Sequence, residues 1–236
     1  MTPDEIGRLM AQAAHRAFTD GEAGDRAAAA RAEAAILHDL RPVRPLAPDS
    51  LYTLILVLLC AAAAVDAASV LGMAGLRALS PAQCVLVFSA LLAGACVAAV
   101  ACTRAMRPAS GKNLGPLAWI LAPSLLAAVV ALAFEGYGTG GLVNEGVPCL
   151  KAGLCLALPT GLAISLLLRR GFILNRSAAG LAAGALAGIA GVAMLELHCP
   201  NLKAIHVMVW HVGVVIASGG IGFFLGLASR SRLVAR

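Results

Sequence analysis

From residue 51 onward the chain alternates between long apolar runs and short polar breaks, and six runs stand out, at 51–75, 81–103, 115–134, 147–168, 177–195 and 205–228. Each comes close to the roughly 20 residues a helix needs to cross about 30 Å of hydrocarbon. The breaks run from Arg77 to Pro81, Arg107 to Gly111, Glu135 to Gly146, Arg169 to Arg176 and His198 to Lys203, and they hold the Pro, Gly and charged residues that end helices. The pattern predicts an all-α polytopic membrane protein. Six transmembrane helices occupy 51–228, a short helical N-terminal cytoplasmic segment precedes them at 1–50, and a basic C-terminal stretch follows at 229–236.

The first fifty residues keep a different period. Ile6, Leu9, Met10, Ala13 and Ala17 recur at helical spacing, which gives a short amphipathic helix. Thr19-Asp20-Gly21 and Gly24 interrupt it. Asp25 is placed to cap a second helix running to Leu40, with Ala29, Ala32, Ile36 and Leu40 on one stripe. Arg41-Pro42-Val43-Arg44-Pro45 stops that helix, because proline removes a donor and bars the residue before it from helical geometry.

Composition agrees with a membrane location. Of 236 residues 60% are hydrophobic and 13% charged, with a mean hydropathy of +0.88, whereas soluble domains hold about 45–50% apolar and about 25% charged residues. Charge is divided unevenly. Residues 1–40 carry seven acidic side chains (Asp4, Glu5, Asp20, Glu22, Asp25, Glu33, Asp39) against four Arg, a net of −3 within a chain of net +6. That start is too polar for a secretory signal peptide. Its acidity disfavours anionic lipid and direct nucleic-acid binding and favours a basic protein partner.

Lys and Arg near the span ends set the orientation. Arg41, Arg44, Arg104, Arg107, Lys112, Arg169, Arg170, Arg176, Arg230, Arg232 and Arg236 fall on one side, and Arg77, Lys151 and Lys203 on the other. The richer side is the cytoplasmic one, so both termini are expected inside a bacterial inner membrane.

Small residues mark helix contacts. Gly180, Gly184 and Gly188 recur every four residues in the fifth run with Gly191 close by, and Gly222 and Gly226 do so in the sixth. Such stripes let helix backbones approach closely in lipid. Pro123 and Pro159 are expected to kink the third and fourth helices. Asp66 is the one ionisable residue well inside a run. It carries the alternative reading of a small-solute or metal-ion transporter, which ordinarily needs several such groups converging at the midplane.

Reactive side chains gather on the outer side. Cys149 opens the fourth run, Cys199 lies in His198-Cys199-Pro200 between the fifth and sixth, and His206 and His211 head the sixth. Thiolate and imidazole suit zinc, copper or cadmium, and two thiols facing an oxidising compartment also suit a disulfide. The candidate metal ligands are Cys149, Cys199, His198 and His206, for a transient ion rather than a resident cofactor. His206 and His211 are five apart, which an α-helix does not place on one face. Cys60, Cys84, Cys96, Cys102 and Cys155 lie in apolar runs and are expected to act as small hydrophobes. No CxxC occurs, so a thiol oxidoreductase lacks its usual motif and no enzyme is expected.

The stretch from Leu37 to Leu46 (Leu-His-Asp-Leu-Arg-Pro-Val-Arg-Pro-Leu), ahead of six apolar runs, resembles the NrsF family of membrane anti-sigma factors. So do Cys149 ten residues before Pro159, the turn Arg169-Arg170-Gly171, and Glu196-Leu197-His198-Cys199-Pro200 with Trp210 downstream. The resemblance implies a regulator that holds an extracytoplasmic-function sigma factor at the membrane and releases it under metal or oxidative stress. By position it implies sensing by Cys149 and Cys199 with His198 beside them. It also implies partner binding by Ile36, Leu37, Asp39, Leu40 and Val43 and structural roles for Pro200 and Trp210, while Gly184 and Gly188 are structural by their place in the small-residue stripe.

Overall fold

The structure is a computed structural model that describes residues 5, 7–10, 12, 29–35, 48–107, 126 and 128–234, with side chains as far as 229. The chain divides into two compact units, Met1–Pro45 and Leu46–Arg236. In the first, the described residues are helical. The second is a helical bundle, and no strand occurs among its described residues.

The bundle begins with α1 (Asp49–Leu71), followed by the five-residue α2 (Ala74–Ala78) and α3 (Pro81–Ala105). Next come α4 (Leu142–Leu168) and α5 (Arg176–His198). The last helix, α6, starts as Ala204–His206, passes through a π-helical turn at Val207–His211 and continues as Val212–Val234. Among the described residues five helices are long and apolar enough to cross a membrane: α1, α3, α4, α5 and α6. This is one fewer than the six expected. The third run, 115–134, falls largely outside the described residues, and of it residues 126 and 128–133 are helical.

Local chemistry sets several helix ends. Ser80 caps α3 in a reciprocal box with Gln83, and Pro81 occupies the first turn, where its missing N–H costs nothing. Asn175 caps α5 by accepting from the amide of Ala178 at 3.1 Å. At the other end of α5, Cys199 adopts extended geometry (φ −81°, ψ 118°), as the residue before a proline must. Its amide still reaches Leu195 O at 2.7 Å, so the helix stops one residue before Pro200.

The central helix is α5, which packs against α1, α2, α3, α4 and α6. Its glycines and alanines permit this crowding. A Cβ on Gly180 would strike the backbone of Gly222, one on Gly184 the backbone at Ser218, and one on Gly188 both Ser218 Oγ and Val215 Cα. Gly226 likewise meets the backbone at Arg176. The α5–α6 seam is therefore in backbone contact along its length, which is how helices associate where lipid removes the hydrophobic drive. The outward faces are the reverse, with Val70, Val85 and Phe224 all exposed.

The two ends of the bundle differ. At one end lie Arg104, Arg107, Arg169, Arg170 and Arg176, where Phe172 N bonds Met106 O at 3.0 Å, Arg107 pairs with Asp49 at 2.7 Å and Arg176 donates to Ser229 O. The other end is formed by the α1–α2 turn, the start of α4, the α5–α6 connection and residues 133–135. Here Gln83 Nε2 bonds Ala133 O at 2.8 Å and Ala204 N bonds Glu135 O at 3.0 Å. Asp66 lies on an exposed face of α1, with Ser69 bonded to its backbone carbonyl.

Candidate thiol–imidazole site

At the arginine-poor end three helices bring two thiols and two imidazoles together. Cys149 comes from the third turn of α4, Cys199 from the residue after α5, and His206 and His211 from the two sides of the π turn in α6. The potential ligand atoms of the four residues all lie within 4.8 Å of one another. Cys149 Sγ is 3.6 Å from Cys199 Sγ, and Cys199 Sγ is 3.7 Å from His206 Nε2.

The π turn makes this grouping. Its mark is the bond from Val212 N–H to Val207 O, five residues back. An α-helix would set residues five apart about 140° around the axis, which would send His206 and His211 to different faces. The wider turn brings them to one, with ring centroids 5.3 Å apart and edge-on. Such turns recur at functional sites.

Both histidine rings are 1% exposed. His211 Nδ1 lies 2.7 Å from Glu196 Oε1, and Glu196 is itself 2% exposed. The second nitrogen of His211, Nε2, and His206 Nδ1 have no hydrogen-bond partner. Buried polar atoms are almost always paired; of these two orphans only His211 Nε2 belongs to the cluster, because His206 meets Cys199 through its other nitrogen. Trp210 Nε1 is a third. Its indole lies over Gly146, where a Cβ would collide with the ring, so the glycine makes room for the tryptophan one turn ahead of Cys149.

Cys199 is the activated thiol. Its contact with Cys149 holds it well below the usual thiol range and outweighs the opposing effect of burial, and His211 and the amide of Asn201 lower it further. The thiolate is the form that ligates metals and attacks disulfides. The single S–H of Cys149 is in reach of both Cys199 Sγ and Glu145 O, each at 3.6 Å. The surroundings hold Cys199 in place. On the α2 side, Gly75 sits so close that a Cβ there would strike Glu196 O and Cys199 O. On the α4 side, Glu145 accepts from Asn201 Nδ2 at 2.8 Å and lies 3.9 Å from Lys203 Nζ, latching the loop after Cys199.

A protein-family model described as "NrsF: Negative regulator of sigma F" matches residues 37–229. The chain belongs to the NrsF family. No curated protein and no solved structure matches it. The matched span of the NrsF model includes the whole thiol–imidazole site and all five membrane-length helices, and the family description makes the chain a negative regulator of a sigma factor.

Of the residues singled out in the sequence, the structure brings Cys149, Cys199 and His206 together. His198, expected as a ligand, is elsewhere: its Nδ1 lies 2.9 Å from Gly72 O, tying the end of α5 to the end of α1. His211 stands in its place. Pro200 ends α5, Trp210 lies against α4, and Gly184 and Gly188 line the α5–α6 seam. Ile36, Leu37, Asp39, Leu40 and Val43 lie outside the described residues. In the sequence Glu196 has no predicted role beyond its place in Glu196-Leu197-His198-Cys199-Pro200. The signal for it was an acidic residue directly adjoining an apolar run, one turn before a cysteine.

Proposed function

We propose that this protein is an anti-sigma factor of the bacterial inner membrane whose N-terminal segment holds an extracytoplasmic-function sigma factor. It lets that factor go when Cys149, Cys199, His206 and His211 take a thiolate-binding metal ion on the outer side. The observation that carries the sensing half is the buried set of two thiols and two imidazoles within 4.8 Å, with His211 Nε2 left unpartnered. Two sulfurs and two nitrogens at that spacing are a tetrahedral donor set for zinc-like ions.

Orientation is supported by the five arginines grouped at the far end of the bundle, since Lys and Arg collect on the cytoplasmic side. Six crossings are supported by the path of the chain. The backbone is at the arginine-rich end at Met106 and at the site end at Ala133, which supports one crossing more than the five membrane-length helices and, with it, both termini inside. The acidic segment 1–40 is then on the side where a basic sigma factor is found.

The coupling runs through the seam. Ligation would draw the ends of α4, α5 and α6 toward one point, and the α5–α6 backbone contact from Gly188 to Gly226 offers a continuous packed route from the site to the arginine-rich end. Turning a 1:99 equilibrium to 99:1 takes about 5.5 kcal/mol of differential binding. Zinc bound by cysteines and histidines supplies about 10–16 kcal/mol in small domains.

The 3.6 Å between the sulfurs favours a second reading, a disulfide. The thiols would give two protons and two electrons to a disulfide-bearing oxidant as the sulfurs close to about 2.05 Å. That reaction uses His211 only to lower the Cys199 thiol and gives the buried His206 no task, so the metal reading ranks first. A reporter strain carrying this chain and its sigma factor separates the two. Cadmium or zinc should raise sigma-dependent transcription, and His206→Ala with His211→Ala should flatten that response while repression persists. An undiminished metal response in the double variant sinks the metal reading.

A further inference from the structure

The site contains a fifth group that is not one of its four donors. Glu196 is in the last turn of α5, 2% exposed, with Oε1 at 2.7 Å from His211 Nδ1 and none of its atoms in the four-residue cluster. A carboxylate buried in a lipid-spanning bundle is costly unless it is paired, and its partner here is a histidine whose other nitrogen faces the sulfurs unsatisfied. We propose that Glu196 is the positioning residue of the site: it fixes His211 as the Nδ1–H tautomer and presents the Nε2 lone pair to the ion. The assignment rests on the metal reading above.

The chemistry runs in one direction. An ionised carboxylate only accepts hydrogen bonds, so the proton of a neutral His211 must be on Nδ1, and Nε2 is left as a bare donor. Metal-binding histidines ordinarily hold their second nitrogen on a carboxylate or carbonyl, which fixes the ring and raises its basicity. His206 has no such partner, since its Nδ1 is unsatisfied. The two imidazoles are therefore unequal, with His211 the oriented ligand and His206 the loose one. Glu196 also places the site on the central helix, because it and Cys199 are one turn apart on α5 and its end. Ligation of His211 thereby tightens the α5–α6 seam as well as the cluster.

The experiment is zinc affinity of the purified full-length chain in detergent, measured by competition with a chelator. Glu196→Ala should weaken zinc binding roughly 10–100-fold, the usual loss when such a partner is removed. Glu196→Gln, whose carbonyl still accepts from Nδ1–H, should recover most of it. Glu196→Met, which fills the space without an acceptor, should behave as Glu196→Ala and serves where the smaller side chain loosens the helix pair. In a His211→Ala background Glu196→Ala should cost nothing further, since the carboxylate acts only through that ring. Undiminished affinity in both acceptor-free variants, or an equal loss with and without His211, overturns the assignment alone. No zinc binding by the unsubstituted chain overturns the metal reading and the assignment together.

Discussion

Replacing Cys149 and Cys199 together by Ser is expected to leave the sigma factor held and to abolish its release by cadmium, zinc or oxidant. Serine is close to isosteric and slightly smaller, so the ends of α4 and α5 keep their packing, while its hydroxyls stand too far apart to bond across the gap that the sulfurs span at 3.6 Å. What disappears is the thiolate. An alkoxide does not form at neutral pH, so the serine variant forfeits the thiolate share of the roughly 10–16 kcal/mol that a full thiolate–imidazole set supplies, from which the about 5.5 kcal/mol of differential binding for a complete switch must come. A sigma-dependent reporter should stay at its unstimulated level under both treatments, where the parent rises by up to roughly a hundredfold. A normal response to metal and oxidant in the double variant means sensing is elsewhere.

Removing residues 1–45 is expected to do the opposite. These residues are a compact unit of their own, and the bundle begins after them, so the membrane part should insert as before. Seven acidic side chains against four Arg over residues 1–40 make the segment the electrostatic match for a basic partner. Without it the reporter should run at the fully induced level with no metal added, and metal should change nothing. Immunoblotting of the membrane fraction confirms insertion. Persistent repression by the truncated, inserted chain would move the sigma contact to the loops of the arginine-rich end.

Much of this fold is written in hydropathy alone. The ends of α3 were legible because Ser80-Pro81 and the charged break after Thr103 are local signals, and the small-residue stripe of α5 announced its contact with α6. The site was legible in part. Cys149 and Cys199 fall at one end of an alternating path through the runs, so topology gives their common depth, while their contact comes from the packing of α4 against α5. His211 is hidden in the sequence because α-helical geometry splits it from His206, and a π turn is a departure that periodicity does not register. Glu196 was placed beyond the end of its span at residue 195, where a carboxylate would be solvated. The helix instead runs on to His198, and the pairing with His211 lets the charge be buried. His198 was read from its neighbour Cys199, yet the extended residue before Pro200 turns the two side chains apart.

The most direct test of the account is release across a membrane. The full-length chain is reconstituted in vesicles with its N-terminal side outward and loaded with labelled sigma factor, and zinc is then delivered only to the lumen, where Cys199 should face. The account predicts that the sigma factor leaves the vesicle surface, and that it stays when Cys149 and Cys199 are Ser. Retention of the sigma factor by the parent chain under saturating lumenal zinc, or equal release from the serine variant, would contradict it.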